Sequence, residues 1–501
     1  MFVRKKLQAS GNTSIQVIDK QGGKSGVIKT ICCSSDVLLI NQFIVEEEEY
    51  ILSQKGLQQF DFSDYSKVYK QVFASIISHK LVGVQLTIGK LFDEIGLNAI
   101  KDPLFKDLVL YRIIYPKSKL RTTEYLYRYE QKEYTEDDIY RYMDKLHQAY
   151  KAEVEQISYH HSLKILGGKI STVFYDVTAI YFEVYNEDDL RKTGFSKNGK
   201  HQHPQIVLGL HVSTNGYPLA YEIFQGNQFE CETMLPVLDA LKTKYNIVKA
   251  IVVADSGLLS KSNIEKLIVN QYEFILGARI KNETNEIKER ILSLKLVNGE
   301  SVVIEKSNLN LVITYSASRA KKDRHCRDKG LKRLEKLIRS GKLTKSQLNK
   351  RGYNKFLKKS GNVEIEIDKT KLEEEAKWDG LKGYLSNAPL TKDEIIENYN
   401  HLWHIDKAFR VAKTDLKIRP IYHRLQRRIE AHICLNFVAY KIYKELERRL
   451  KEMKAELSAE KVIEIAKNIF EIQALQPDNQ ITKQTLIITQ EQKTLAKLFG
   501  F

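Results

Sequence analysis

Asp176 interrupts the run STVFYDVTAIYFE between aromatic and β-branched neighbours, and Asp255 closes the short apolar run AIVVAD just before Ser256 and Gly257. Both positions suit a carboxylate presented by a strand, the second at a tight turn. Either acid alone would serve equally well as a turn acceptor or a helix cap. Two acids on neighbouring strands would repel each other unless cations neutralised them, and a pair held that way could carry divalent metal over a phosphodiester.

Helical spacing selects a third acid. Tyr399, Trp403, Asp406, Arg410 and Lys413 follow one another at offsets of four, three, four and three, which puts aromatic, acidic and basic groups on one helix face. Asp406 with Arg410 reads as a surface ion pair and Trp403 as a core anchor, or else Asp406 completes a metal site while Arg410 and Lys413 meet phosphate oxygens. From Lys407 to Arg428 the chain carries eight Lys or Arg, among them Lys417, Arg419, Arg424 and Arg428, against the single acid Asp415, a local basic footprint expected to meet DNA phosphates beside the site. A second basic tract, Arg319 to Lys359, holds 17 Lys or Arg and three acids. It reads as a solvated helix pair turning at Gly341, or as a DNA-backbone clamp using Lys321, Lys322, Lys332 and Arg333. His201, His203, His401, His404, His423 and His432 show no ligand repeat, and His423 and His432 are expected in helix packing or surface hydrogen bonds. Neither paired cysteines nor a glycine-rich phosphate loop precedes a helix, so neither structural zinc nor ATP is expected.

These residues need elements to position them. The chain has 501 residues, 43% of them hydrophobic, with a formal charge of +17 that favours a polyanionic partner. Five cysteines without framework spacing indicate a reducing compartment, and no apolar run approaches the roughly 20 residues needed to cross a bilayer, so a soluble intracellular protein is expected. Short extended runs at 15–18 and 27–32 predict a small sheet or hairpin. Helical periodicity follows from Glu46 to Leu166, including a helix after Asp64 through YSKVYKQVFASIISH, one over FKDLVLYRII, and SKLRTTEYLYRYE with TEDDIYRYMDKLHQAY as a compact pair suited to DNA or to packing. After Gly167 come a strand around Asp176, a hairpin across Asn215-Gly216, then helix, strand, helix, strand to EFILGAR: a mixed α/β layer with its chemistry at strand ends. The excursion from Gly257 to about Pro389 is too long for a connecting loop and predicts an inserted subdomain. Thr391 with Glu394 forms a capping-box pattern for the helix bearing Tyr399.

YDVT around Asp176, VVAD around Asp255 and Y-x2-L-x3-D-x6-K from Tyr399 to Lys413 together resemble the insertion-sequence-4-type DDE transposase family, especially its insertion-sequence-1634-like subgroup. GKHQHPQIVLGL, GNQFECETMLPVLD and RPIYHRLQRRIEAHI are similar to the same subgroup. The family motif is Y-x2-R-x3-E-x6-K; here Leu402 replaces its Arg and Asp406 stands at its catalytic Glu, with Glu430 the alternative acid in the next helix. The resemblance implies an α/β, RNase H-like catalytic core in two pieces, 167–280 and 390–455. A β-rich and basic insertion at 281–389 would interrupt it, a small extended segment (1–45) and a helical DNA-binding region (46–166) would precede it, and a helical or accessory region (456–501) would follow. It further implies that Asp176, Asp255 and Asp406 hold Mg²⁺, with Mn²⁺ as a substitute, and that a homodimer binds double-stranded terminal repeats, cleaves element ends and joins them to target DNA. A prokaryotic cytoplasm, associated with DNA and not with membrane, is the implied setting. A DNA-binding protein with weakened chemistry and a general metal-dependent nuclease are the competing functions.

Overall fold

Alternating apolar and polar residues at the start of the chain form strands β1 (Phe2–Leu7), β2 (Thr13–Gln21) and β3 (Lys24–Ser34), paired antiparallel in that order. The β2–β3 turn uses Gly22 and Gly23 at φ of 58° and 83°, where a Cβ would be strained. Helix α1 (Val37–Gln54) follows. The computed structural model describes all residues except 9, 11, 55–71, 197–198, 246–249, 342–351, 361–363 and 477. Most of the helix predicted after Asp64 lies outside the described residues. Its far end departs from the prediction, because Ile76–Leu81 is strand β4; the adjacent β-branched Ile76 and Ile77 favour extended backbone. The chain divides into two compact units, Met1–Ser78 with Ile472–Lys483 and His79–Glu471 with Gln484–Phe501.

The second unit begins with the helices α2 (Lys90–Ile95), α3 (Pro103–Ile114), α4 (Lys119–Glu130), α5 (Glu136–Lys145) and α6 (Lys151–Ile165). Their starts are encoded locally. Asp102 accepts from the Leu104 amide ahead of Pro103, Ser118 accepts from Arg121, and Thr135 and Asp138 cap α5 reciprocally. A sheet follows, built from β5 (Thr172–Tyr181), β6 (Gln205–Val212), β7 (Pro218–Gln225), β8 (Ile251–Ala254) and β9 (Glu273–Ala278), with α7 (Glu230–Tyr245) and α8 (Lys261–Val269) between its later strands. β5, β6 and β7 pair antiparallel, whereas β5–β8 and β8–β9 pair parallel.

Beyond α9 (Asn285–Ser293), the strands predicted for the insertion are hydrogen-bonded into this same sheet. β10 (Ser301–Lys306) and β11 (Leu309–Tyr315) form a hairpin, then come α10 (Ala317–Arg339), the small pair β12 (Leu357–Ser360) and β13 (Glu364–Ile367), α11 (Lys369–Ala376) and β14 (Leu381–Ser386). The sheet order is β10-β11-β14-β9-β8-β5-β6-β7. The inserted strands extend it beyond β9, which separates them from β8 and β5, the strands that bear the acids.

Strand alternation divides the apolar residues between two faces. Val173, Tyr175, Val177, Val252, Ala254 and Leu276 face one core, whereas Phe174, Ile180, Val253 and Ile275 face the other. The second face is covered from the chain's later helices: α12 (Lys392–Asn400), α13 (Trp403–Thr414) and α14 (Gln426–Glu452), whose Ile395, Phe409, Ile433 and Phe437 join that core. Thr391 and Glu394 cap α12 as predicted. The remaining elements are α15 (Ala459–Ala466), β15 (Phe470–Leu475), β16 (Ile481–Leu486) and α16 (Gln490–Phe499). Among the described residues no helix is long and apolar enough to cross a membrane.

Candidate active site

The parallel register fixes the two strand acids. Tyr175 pairs with Ala254 and Ala254 with Leu276, so one residue further on Asp176, Asp255 and Gly277 lie level across three neighbouring strands. Tyr384 of β14 pairs with Gly277 and continues the row. Neighbouring strands stand about 5 Å apart, so the two carboxylates are close enough to repel and to share cations. Alternation puts Asp176, and Thr178 two residues later, on the face covered by α12 and α13. Asp255 is exposed where β8 ends, at the start of a 3₁₀ turn over Ser256–Leu258. Arg279 closes that turn by donating from Nε to the Ser256 carbonyl at 3.0 Å and from Nη2 to that of Gly257 at 3.3 Å.

The last turn of α12 brings Tyr399 to this row, and its hydroxyl donates to Asp255 Oδ1 at 2.9 Å. Burial, followed by the Asp255 charge, raises the Tyr399 pKa, so the phenol keeps its proton and remains a donor. Room for it comes from Gly277: a Cβ there would lie 2.5 Å from the Tyr399 hydroxyl and 2.9 Å from the Ser256 nitrogen. Tyr384 flanks Tyr399 at a ring separation of 4.7 Å, and the Lys382 ammonium lies 4.3 Å from the Tyr399 ring centre. Burial and then Arg319 lower the Lys382 pKa, with Asp255 opposing them. Replacing Tyr399 with phenylalanine should therefore lower DNA cleavage about 10–100-fold with little change in DNA affinity, since it frees a carboxylate from the group that orients it. Parallel cleavage and binding titrations check this; equal losses in both would assign Tyr399 to DNA contact.

After α12 the chain breaks at His401 and Leu402 and restarts as α13. Asp406, Phe409, Arg410 and Lys413 form one stripe at helical spacing, and the Lys413 ammonium donates to Thr178 Oγ1 on β5. Tyr399 and Lys413 thus reach the acid row from two consecutive helices. Asp406, midway between them in sequence, is exposed, as is Arg410. Among the described residues no three His, Cys, Asp or Glu side chains stand together as a metal-holding group, so Asp406 does not close a cluster with the strand pair. Glu430 lies elsewhere, accepting from Lys151 at 2.8 Å and Gln426 at 3.0 Å.

The predicted basic residues fall into distinct settings. Lys417 and Arg424 are exposed, while the Arg419 guanidinium lies 5.7 Å from the Tyr181 ring centre. Arg428 is committed within the protein: its fork binds Asp144 at 2.9 and 3.0 Å and lies on Tyr140, joining α14 to α5. That pairing neutralises a charge predicted for DNA. Lys321, Lys322, Lys332 and Arg333 are exposed along α10, which is anchored by the bidentate Arg327–Asp379 pair at 2.5 and 2.6 Å and by Gly330 beneath the Tyr353 ring. Part of the basic tract, 342–351, lies outside the described residues. His432 is buried and His203 bonds the Phe182 carbonyl at 3.2 Å. Sequence reasoning missed Thr178, Gly277, Arg279 and Lys382. Period two from Asp176 could have found Thr178, whereas the other three depend on pairings between distant segments.

Residues 168–442 match the family model described as Transposase DDE domain. A comparison with curated proteins returns no match. Similar solved structures include a piggyBac transposase synaptic complex with hairpin DNA, at 10% sequence identity, covering 77% of this chain and 76% of that one with a TM-score of 0.38.

Proposed function

This chain belongs to the transposase DDE-domain family and is a DDE-type transposase, and from that premise we propose that it binds the terminal repeats of its own element, cleaves DNA at the element ends and joins the exposed 3′ hydroxyls to target DNA. The observation that carries this reading is the level pair Asp176 and Asp255, approached by Tyr399 and Lys413 from consecutive helices. An RNase H-like core of the insertion-sequence-4 type is supported by three antiparallel strands followed by two parallel ones, with the acids at the middle of the first and the end of the fourth. A homodimer would hold two ends together.

The donor set suits Mg²⁺, a hard cation commonly held by one or two carboxylates together with substrate phosphates, and Mn²⁺ can replace it. Asp176 and Asp255 would hold the metal, and Asp406 would complete the set. When bound, such ions lower the pKa of an attacking hydroxyl and stabilise the leaving oxygen. Tyr399 keeps Asp255 oriented through its hydrogen bond. Arg410 would position phosphate oxygens, for which a permanently charged donor is suited and proton transfer is not. Lys413, seated on Thr178, would offer its ammonium to a phosphate beside Asp176. The reading uses neither ATP nor structural zinc.

The test is incubation of the purified protein with DNA carrying its own element ends and Mg²⁺. Cleavage at the ends with joined products is expected; random nicks without end preference would instead indicate a general nuclease. A second reading, a DNA-binding protein with weakened chemistry, is favoured by Asp406 standing outside any metal-holding group among the described residues. Binding without cleavage would support it.

The exposed cations of α10 should add affinity through phosphates. Changing Lys321, Lys322, Lys332 and Arg333 together to glutamine should weaken binding alike across related sequences, and reduce the log–log salt slope by about 0.9 for each phosphate contact removed. A folded variant with unchanged slope and affinity would exclude α10 as a principal DNA contact.

A further inference from the structure

Separate from the acid row, α3, α4, α5 and the segment between α13 and α14 enclose a cavity of about 340 Å³ with cationic walls. Arg112 in the last turn of α3 and Lys119 in the first turn of α4 are 7% and 6% exposed. Lys417, Arg419, His423 and His432 supply the opposite wall. The acid on the lining, Glu136, already accepts the Tyr140 hydroxyl at 2.5 Å. One wall atom, Arg419 Nη1, is buried without a hydrogen-bond partner among the described residues. The amino end of α4 also borders the cavity and adds the positive pole of a helix.

Among the described residues Arg112 and Lys119 have no ion-pair partner. Burial lowers the Arg112 pKa to about 10, and burial followed by the Arg112 charge lowers that of Lys119 well below the ordinary value, with no acid among the causes. His423 is pushed to about 3 by burial, then by Lys119, Arg112 and Arg428. Cations buried side by side without a counter-ion destabilise the free protein. An anion entering the cavity would reverse that penalty. The cavity is open to one, because Lys417 is exposed and Tyr422 is 70% exposed on its lining.

We propose that this cavity is an anion site that seats a backbone phosphodiester of the bound DNA, away from the reacting bond. The proposal rests on the DNA-acting reading above and adds buried contacts, Arg112 and Lys119, to its exposed ones. A strand passing the mouth would place one phosphate against Arg112, Lys119 and Arg419, while Lys417 would meet its neighbour. Such a contact fixes the register of the strand without reading its sequence.

The test uses the full chain without divalent metal, so that its outcome is independent of cleavage. Arg112→Met and Lys119→Met keep the aliphatic stems and remove the charges. For the free protein the double variant should raise Tm by about 2–5 °C, because an uncompensated burden is lifted. Inorganic phosphate, compared with chloride at equal ionic strength, should stabilise the natural protein in a saturable way and fail to do so in the variant. Affinity for duplex DNA should fall about tenfold and the log–log salt slope by about 1. Opposite signs for stability and affinity are the signature of a ligand site. A double variant that is less stable, or that fails to fold, overturns the proposal, since it makes the cations structural. Phosphate stabilisation lost without any change in duplex affinity also overturns it, by assigning the cavity to free phosphate. Loss of end cleavage by the natural protein, with these three responses intact, would sink the proposed function and leave the anion site standing.

Discussion

Replacing either Asp176 or Asp255 with asparagine should reduce metal-dependent end cleavage by about 10³-fold or more while leaving DNA affinity within a few-fold of the natural protein. The substitution changes volume little and removes one negative charge from a row where two stand about 5 Å apart on adjacent strands. A divalent ion is held there by charge, so a neutral amide would not serve. Affinity should persist because the exposed cations on α10 and around α13 are untouched. Cleavage and binding measured on the same preparations, with circular dichroism to check folding, decide the matter. Retention of cleavage by both variants would remove the strand pair from the chemistry.

Asp406 should answer differently to its two conservative changes. Asparagine should lower cleavage about 10²-fold or more, whereas glutamate should match or exceed the natural rate. The motive is geometric. Asp406 lies on the stripe whose Lys413 reaches β5, yet it remains exposed and outside any three-acid group among the described residues. One added methylene extends the carboxylate by roughly 1–1.5 Å, a difference that metal geometry registers strongly. End cleavage and joining in Mg²⁺, compared across the three proteins, is the measurement. If the asparagine variant keeps natural activity while the strand variants lose it, Asp406 is not the third carboxylate. Glu430 is then a poor substitute, because Lys151, Gln426 and His147 already surround it.

Local chemistry made much of this legible in the sequence. The strand bearing Asp176, the hairpin across Asn215-Gly216, the strand ending at Asp255 and the capping box at Thr391 are all statements about neighbours in the chain, and each forms where its residues indicate. What could not be read is long-range pairing. Nothing in LKGYLS shows that it will lie beside EFILGA, so the place of Lys382 beside Tyr399 was invisible, as was the need for a glycine at 277. Charge was misleading for the same reason: Arg428 sits in a basic run by sequence, and its partner Asp144 comes from a helix almost three hundred residues earlier. Arg112 and Lys119 carry no mark of burial, since their cover is supplied by the segment after α13.

The border formed by β14 has a consequence for how the protein is made. β9 pairs with β8 on one side and with β14 on the other, and β14 leaves the ribosome roughly a hundred residues after β9. At synthesis rates of about 5–20 residues per second, β9 waits about 5–20 s with one edge unpaired. Its sequence, EFILGA, is apolar enough to recruit a foreign strand during that interval. A nascent chain stalled between residues 280 and 380 should therefore be aggregation-prone, although it already contains both strand acids.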